Sequence, residues 1–164
     1  MLKNLAPIAA TAIVLLFLLV SSVPLMHWFV REGREAELAS GEELWNSLGI
    51  SDYDFTVNMT CFCPPPAGTD IRLRVRNGRT ISAVDGRNPR NGVAVDMGDI
   101  PDSVPAMFAA VRSAIDADPD SIFVAYDEDY GFPVSIEIDH RRAYADDEVT
   151  FSIVEFEPLD DISY

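Results

Sequence analysis

From Tyr53 to Cys61 apolar and polar residues alternate without interruption: Tyr53, Phe55, Val57, Met59 and Cys61 against Asp54, Thr56, Asn58 and Thr60. A period of two is the mark of a strand with one buried face. The same alternation returns at Ile71, Leu73 and Val75, set between Arg72, Arg74 and Arg76. Asn77-Gly78 follows, the strongest short hairpin signal, and predicts an antiparallel partner strand from about Arg79 to Val84. Three further strands are expected at Ser121 to Tyr126, Pro133 to His140 and Glu148 to Phe156. Asp129-Tyr130-Gly131-Phe132-Pro133 makes the turn between the first two of these.

Helical spacing appears twice. Ser40-Gly41-Glu42-Glu43 has the spacing of a capping box, Leu44, Trp45 and Leu48 follow at helical intervals, and Gly49 is the stop, which predicts a short helix. Pro101-Asp102-Ser103 opens a second helix whose Val104, Met107, Phe108, Val111 and Ile115 share one side, ending near Asp118-Pro119. Between the two strand groups, Asp85 to Asp99 holds Gly86, Asn88, Pro89, Asn91, Gly92 and Gly98 and reads as a surface loop that adds nothing to the core. The expected fold is therefore α+β, an antiparallel sheet with two helices in the order α-βββ-α-βββ. The repeated order points to an internal duplication with both helices on one face.

A different pattern precedes this domain. Leu5 to Val23 carries no charge and is long enough, at 1.5 Å per residue, for a transmembrane helix of about 28 Å. The apolar run continues through Leu25-Met26-His27-Trp28-Phe29-Val30 to Arg31, with the aromatic residues placed as at a bilayer surface. Residues 1–30 are thus expected to be a membrane anchor or uncleaved signal sequence, and residues 31–164 an extracytoplasmic domain with its core at about 45–158. The alternative is a secreted domain, with Val20-Ser21-Ser22 as a cleavage site; continuation of the apolar run past that point favours the anchor. Lys3 faces Arg31 and Arg34 across the segment, so charge alone barely orients it. The expectation of an exported C-terminal domain rests on the usual behaviour of short N-terminal anchors.

Charge narrows the partners. With 12 basic against 27 acidic residues the chain is at −15, which excludes nucleic acid as a partner over most of its surface. The concentrated basic feature is Arg72, Arg74 and Arg76 on one face of one strand, joined by Arg79; guanidinium groups so placed suit a phosphate, a carboxylate or an acidic protein surface. They also suit cross-strand pairing to Asp54, Glu137 or Asp139.

Cys61-Phe62-Cys63-Pro64-Pro65-Pro66 is the most distinctive segment. In extended chain, residues two apart lie about 7 Å apart between Cα atoms, the far limit for a disulfide, so a Cys61–Cys63 bridge requires a local departure from the strand. The pair reads as a structural disulfide or thiols ending the strand. Thiol-disulfide exchange and a metal site sharing His140 or His27 are the other readings. Asp116-Ala117-Asp118-Pro119-Asp120 resembles a calcium loop only superficially, since Ser121 stands where the tight turn needs glycine. Asn58-Met59-Thr60 fits a glycosylation acceptor but lies inside a strand. No phosphate loop, nucleophile elbow or metalloprotease helix is present, so no catalytic residue, metal or cofactor is assigned.

Cys61-Phe62-Cys63-Pro64, Ile71 through Arg79, Tyr126-Asp127, Tyr130-Gly131-Phe132-Pro133 and Asp146-Asp147-Glu148-Val149 together resemble a bacterial envelope family, domain-of-unknown-function family 6174. The likeness runs from about Trp45 to Pro158. It implies a secreted, lipid-linked or membrane-anchored protein and carries no reaction or ligand. This chain departs from lipid-linked members in having no lipid-acceptor cysteine. The expected function is a non-catalytic binding or accessory module, contacting an envelope protein or anionic ligand through Arg72, Arg74 and Arg76. The alternatives are thiol-disulfide exchange by Cys61 and Cys63, or a structural subunit of an envelope complex.

Overall fold

The computed structural model describes residues 28–87, 94–141, 143–144 and 146–159. The expected membrane segment, Leu5 to Val23, lies outside them. Among the described residues no helix is long and apolar enough to cross a membrane. The chain divides into two compact units, Met1–Ala36 and Glu37–Tyr164. In the first, residues 28–36 are helical, and Arg31 pairs with Glu35 one turn on, 2.8 Å away.

The second unit is an α+β domain. It opens with helix α1 (residues 37–48) and continues with β1 (Tyr53–Cys61), β2 (Ile71–Arg76), β3 (Arg79–Asp85), α2 (Val104–Ala117), β4 (Ser121–Tyr126), β5 (Pro133–Asp139) and β6 (Glu148–Pro158). The six strands form one sheet in the order β3-β2-β1-β6-β5-β4, every neighbouring pair antiparallel. Both helices cover the same face. Tyr53, Phe55 and Val57 of β1, Ile71, Leu73 and Val75 of β2, Ile136 and Ile138 of β5 and Phe151 of β6 pack there against Leu38 and Trp45 of α1 and the buried side of α2. Among the described residues no helix covers the opposite face, called the open face below.

An aromatic group seats α1. Trp45 meets Tyr53, Phe132 and Phe156 edge-on at 5.5, 6.0 and 5.9 Å between ring centres, contacts that add to simple burial. The Tyr53 hydroxyl accepts the Val104 amide N–H at 2.9 Å, satisfying a donor that the first turn of α2 leaves without an intrahelical partner. Ser103 caps the same turn by accepting from the Ala106 amide. Asp118 closes α2 in the left-handed conformation.

Three expectations need correction. Ser40 is not a helix start: residues 28–48 are helical throughout, because Arg31 to Ala39 is rich in good helix formers and Leu38 belongs to the core stripe with Trp45. Gly41 is instead a packing glycine. A Cβ there would lie 2.5 Å from the carbonyl oxygen of Gly131 in the β4–β5 turn. The loop Asp85 to Asp99 does contribute to the core: Val95 and Met97, two positions apart, are partly buried and pack against the central cluster. The third concerns the duplication. The two halves follow the same strand order across the sheet, yet β4 runs opposite to β1 while both helices sit on one face, a relation that no rotation produces.

Candidate functional site

The open face is built from the outward residues of the strands. Asp54 stands across from Arg74 on β2 and Glu157 on β6, and Thr56 stands between Arg72 and Glu155. Neighbouring strands thus set three arginines around one carboxylate. Arg76 Nη2 lies 2.8 Å from Asp54 Oδ1 without hydrogen-bond alignment, while Arg72 Nη2 and Arg74 Nε lie 3.5 and 3.6 Å from Oδ2. Arg72 is also 3.7 Å from Glu157. Asp54 itself is buried at 8 % exposure, which is tolerable for a carboxylate only because cations surround it.

The three arginines are not equivalent. Arg76 Nη1 donates to the carbonyl oxygens of Tyr53 and Val75 at 3.0 and 2.7 Å, so its guanidinium is held by the β1–β2 backbone and its side chain is 27 % exposed. Arg74 is 59 % exposed and touches Asp54 only loosely; Arg72, at 32 %, lies between them. Arg74 and Arg72 are the two able to meet a ligand. Of the acids that sequence could place opposite them, Asp54 does so. Glu137 and Asp139 stand on β5, beyond β6, and pair with Phe123 and Ser121 of β4.

Cys61 and Cys63 are joined in a disulfide, with Cα atoms 5.3 Å apart. The shortening relative to an extended strand is the local departure that the sequence required: β1 ends at Cys61, residues 62–63 bend away, and the Gly68 amide returns to the Met59 carbonyl at 2.8 Å. Phe62, between the two, is 85 % exposed. This turn lies seven residues along β1 from Asp54, about 23 Å away at 3.3 Å per residue, so the cysteines and the arginines form two sites and not one. His140 is exposed. Among the described residues no three His, Cys, Asp or Glu side chains are grouped to hold a metal ion.

Sequence reasoning missed a second part of the open face. A hollow of about 250 Å³ lies on β4, β5 and β6, lined by Ser121, Phe123, Glu137, Ile138, Asp139, Glu148 and Thr150. Phe123 is 62 % exposed there. The signal available beforehand was Ser121 to Tyr126 itself, an uncharged strand in a chain at −15. A larger hollow of about 530 Å³ runs from Leu48 through Asp52 to Asn77 and Leu159. Its acid, Asp52, is engaged, accepting the Asn77 amide N–H at 2.7 Å and the Ser51 hydroxyl at 3.2 Å.

Comparison with known proteins finds no matching curated protein and no matching solved structure. A family defined by sequence does match, over residues 37–158, which takes in every strand and both helices of the second unit. The chain belongs to the family of unknown function DUF6174.

Proposed function

We propose that the chain is an exported, membrane-tethered and non-catalytic binding module of the bacterial envelope, engaging a partner through the open face of its sheet around Arg72 and Arg74. The observation that carries this reading is the one-sided layering: both helices lie on one face, and the other presents two accessible arginines whose partner acid, Asp54, is itself buried. With Asp54, Glu155 and Glu157 close by, the local charge is near balance, which suits an acidic or hydroxyl-rich protein surface better than a free phosphate. Export is supported by the uncharged run Leu5 to Val23 and by a disulfide, a bond that persists in oxidising compartments.

The test is native electrophoresis of the full chain extracted from its own membranes in mild detergent. A species heavier than the chain alone is expected, lost in the double variant Arg72→Gln/Arg74→Gln and kept in Arg141→Gln. Survival of that species in the double variant contradicts the reading.

The exposed position of the Cys61–Cys63 turn favours one second reading, thiol-disulfide exchange. Alkylation after graded reduction separates the two. A pair reduced near the glutathione poise, roughly −200 mV, supports exchange, and one that resists to below about −300 mV is structural.

A further inference from the structure

The two edges of the sheet are treated differently. At β3 the chain guards the edge with several devices: Ala94 bridges to Val84, the Val95 amide donates to the Ala83 carbonyl at 3.1 Å, an irregularity between Arg74 and Val75 inserts Ile81 as an extra residue, and Arg79 begins the strand with a charge. At β4 no bridge or backbone hydrogen bond from another segment covers the outer edge among the described residues, and the irregularity in its pairing with β5 comes only at the strand's end, between Ala125 and Tyr126. Ser121-Ile122-Phe123-Val124-Ala125-Tyr126 has no charge and no proline, its register with β5 is regular from Ser121 to Ala125, and among the described residues it pairs with β5 alone. Its second edge presents the N–H and C=O groups of alternate residues to whatever lies beside it. Sheet proteins normally blunt such an edge, because it is a template for another strand.

The surroundings of this edge specify the incoming strand. On the open face Phe123 is largely exposed, and next to it Glu137, Asp139 and Glu148 converge, with Asp139 beside Glu148 across the β5–β6 pair. No cation pairs with these three among the described residues, and Asp139 Oδ1 is buried without a hydrogen-bond partner. A strand added beyond β4 lies two strand spacings from β5, about 9.6 Å. A lysine or arginine side chain on its open-face side spans that gap over the Phe123 ring, where a cation is attracted to the ring face.

We propose that β4 is a docking edge for an extended, basic segment of a partner protein, which adds a seventh strand and lays cationic side chains across Phe123 toward Glu137 and Asp139. A second copy of the chain fits less well: edge-to-edge pairing of two β4 strands brings two acidic faces together in a molecule already at −15. The surface stands at the far side of the sheet from Arg72 and Arg74, so this inference goes beyond the function proposed above and its test does not depend on it.

The test titrates the full chain, in a zwitterionic detergent, with three fluorescent eight-residue peptides. One alternates Lys and Val, one alternates Glu and Val, and one is the Lys/Val peptide N-methylated along one edge so that it keeps its charge and loses its backbone donors. The Lys/Val peptide is expected to bind and to slow amide hydrogen exchange at Ser121 to Tyr126. The other two should bind at least tenfold more weakly, Glu137→Lys should weaken Lys/Val binding about tenfold, and Arg72→Gln/Arg74→Gln should leave it unchanged. Equal binding of the N-methylated peptide, protection at β3 instead of β4, or absence of binding overturns the proposal. So does concentration-dependent dimerisation that excludes the peptide, which assigns the edge to a second copy.

Discussion

Replacing Gly41 with alanine sets two effects of opposite sign against each other. In a helix interior the change gains about 0.5–1 kcal/mol of intrinsic helix stability. The new Cβ, however, lies 2.5 Å from the Gly131 carbonyl oxygen and 3.0 Å from Tyr126 Cδ1. The shortest ordinary C···O contact is about 3.3 Å, so α1 must retreat by roughly 0.8 Å from a backbone atom that has no freedom to turn aside. A retreat of that size loosens Leu38 and Trp45 from the core, and overpacking of this kind costs about 1–3 kcal/mol. The net expectation is a loss of about 1–2 kcal/mol, since the clash is of the rigid kind. Gly33 supplies the internal control. It lies in helical chain too, and a Cβ there meets nothing within 4 Å. Gly33→Ala should leave the urea midpoint unchanged or raise it, whereas Gly41→Ala should lower it. The fluorescence of Trp45 reports the transition, since that residue is buried in the core while Trp28 is exposed. Gly131→Ala should cost more than Gly41→Ala, because its φ of +78° adds backbone strain to contacts at 2.6 Å with Gly41 O and 2.9 Å with Leu44 Cβ. If Gly41→Ala matches or exceeds the wild type, the close approach of α1 to the β4–β5 turn is wrong.

Three other outcomes are expected. Asp54→Asn removes the one anion at the centre of the arginine cluster and should cost about 1–2 kcal/mol in urea unfolding, with a smaller loss at high salt; an unchanged midpoint would show that the cluster contributes nothing to the fold. Tyr53 and Tyr126 are both pushed up to about 12, chiefly by burial. At Tyr53 the Val104 N–H opposes this and Asp102 adds to it, while at Tyr126 Glu37 and then Glu42 add to it. The folded state holds these protons more tightly than the unfolded chain, whose tyrosines titrate near 10, so their stabilisation is complete below pH 10 and is lost as pH rises from 10 through 12. Near-ultraviolet absorbance should show two tyrosines ionising together with unfolding, one fewer in Tyr53→Phe and in Tyr126→Phe. Cys61→Ser/Cys63→Ser opens a loop with a sequence separation of 2 and should cost less than about 2 kcal/mol, measured as the shift in urea midpoint.

What could be read beforehand followed how local the determining contacts are. The β2–β3 hairpin was legible because Asn77-Gly78 adopts positive φ at both residues, 51° and 69°, as its two-residue turn demands. The buried stripe of α2 was legible from spacing alone. The start of α1 was not, since a serine-glycine-acidic run looks the same whether it caps a helix or places a glycine against a distant turn, and Gly131 is 90 positions away. Strand order was equally hidden. The pairing of β1 with β6 brings Glu157 opposite Asp54, and nothing within either strand announces it. From sequence alone the arginines therefore form a row of cations, with Asp54 one of three acids able to face them. The place of β4 at the rim among the described residues is a property of sheet order as well, so its uncharged sequence could signal an apolar surface but not a sheet edge.

A partner seated on the open face around Arg72 and Arg74 must lie within reach of the neighbouring β3 residues and away from the exposed side of α2. The most direct measurement places a photo-crosslinking residue at Ser82, across from Arg74, or at Ser113, on the exposed side of α2, in cells carrying the full chain. A discrete adduct is expected from position 82, disappearing in Arg72→Gln/Arg74→Gln and not forming from position 113. The same adduct from both positions, or none from position 82, would contradict that placement.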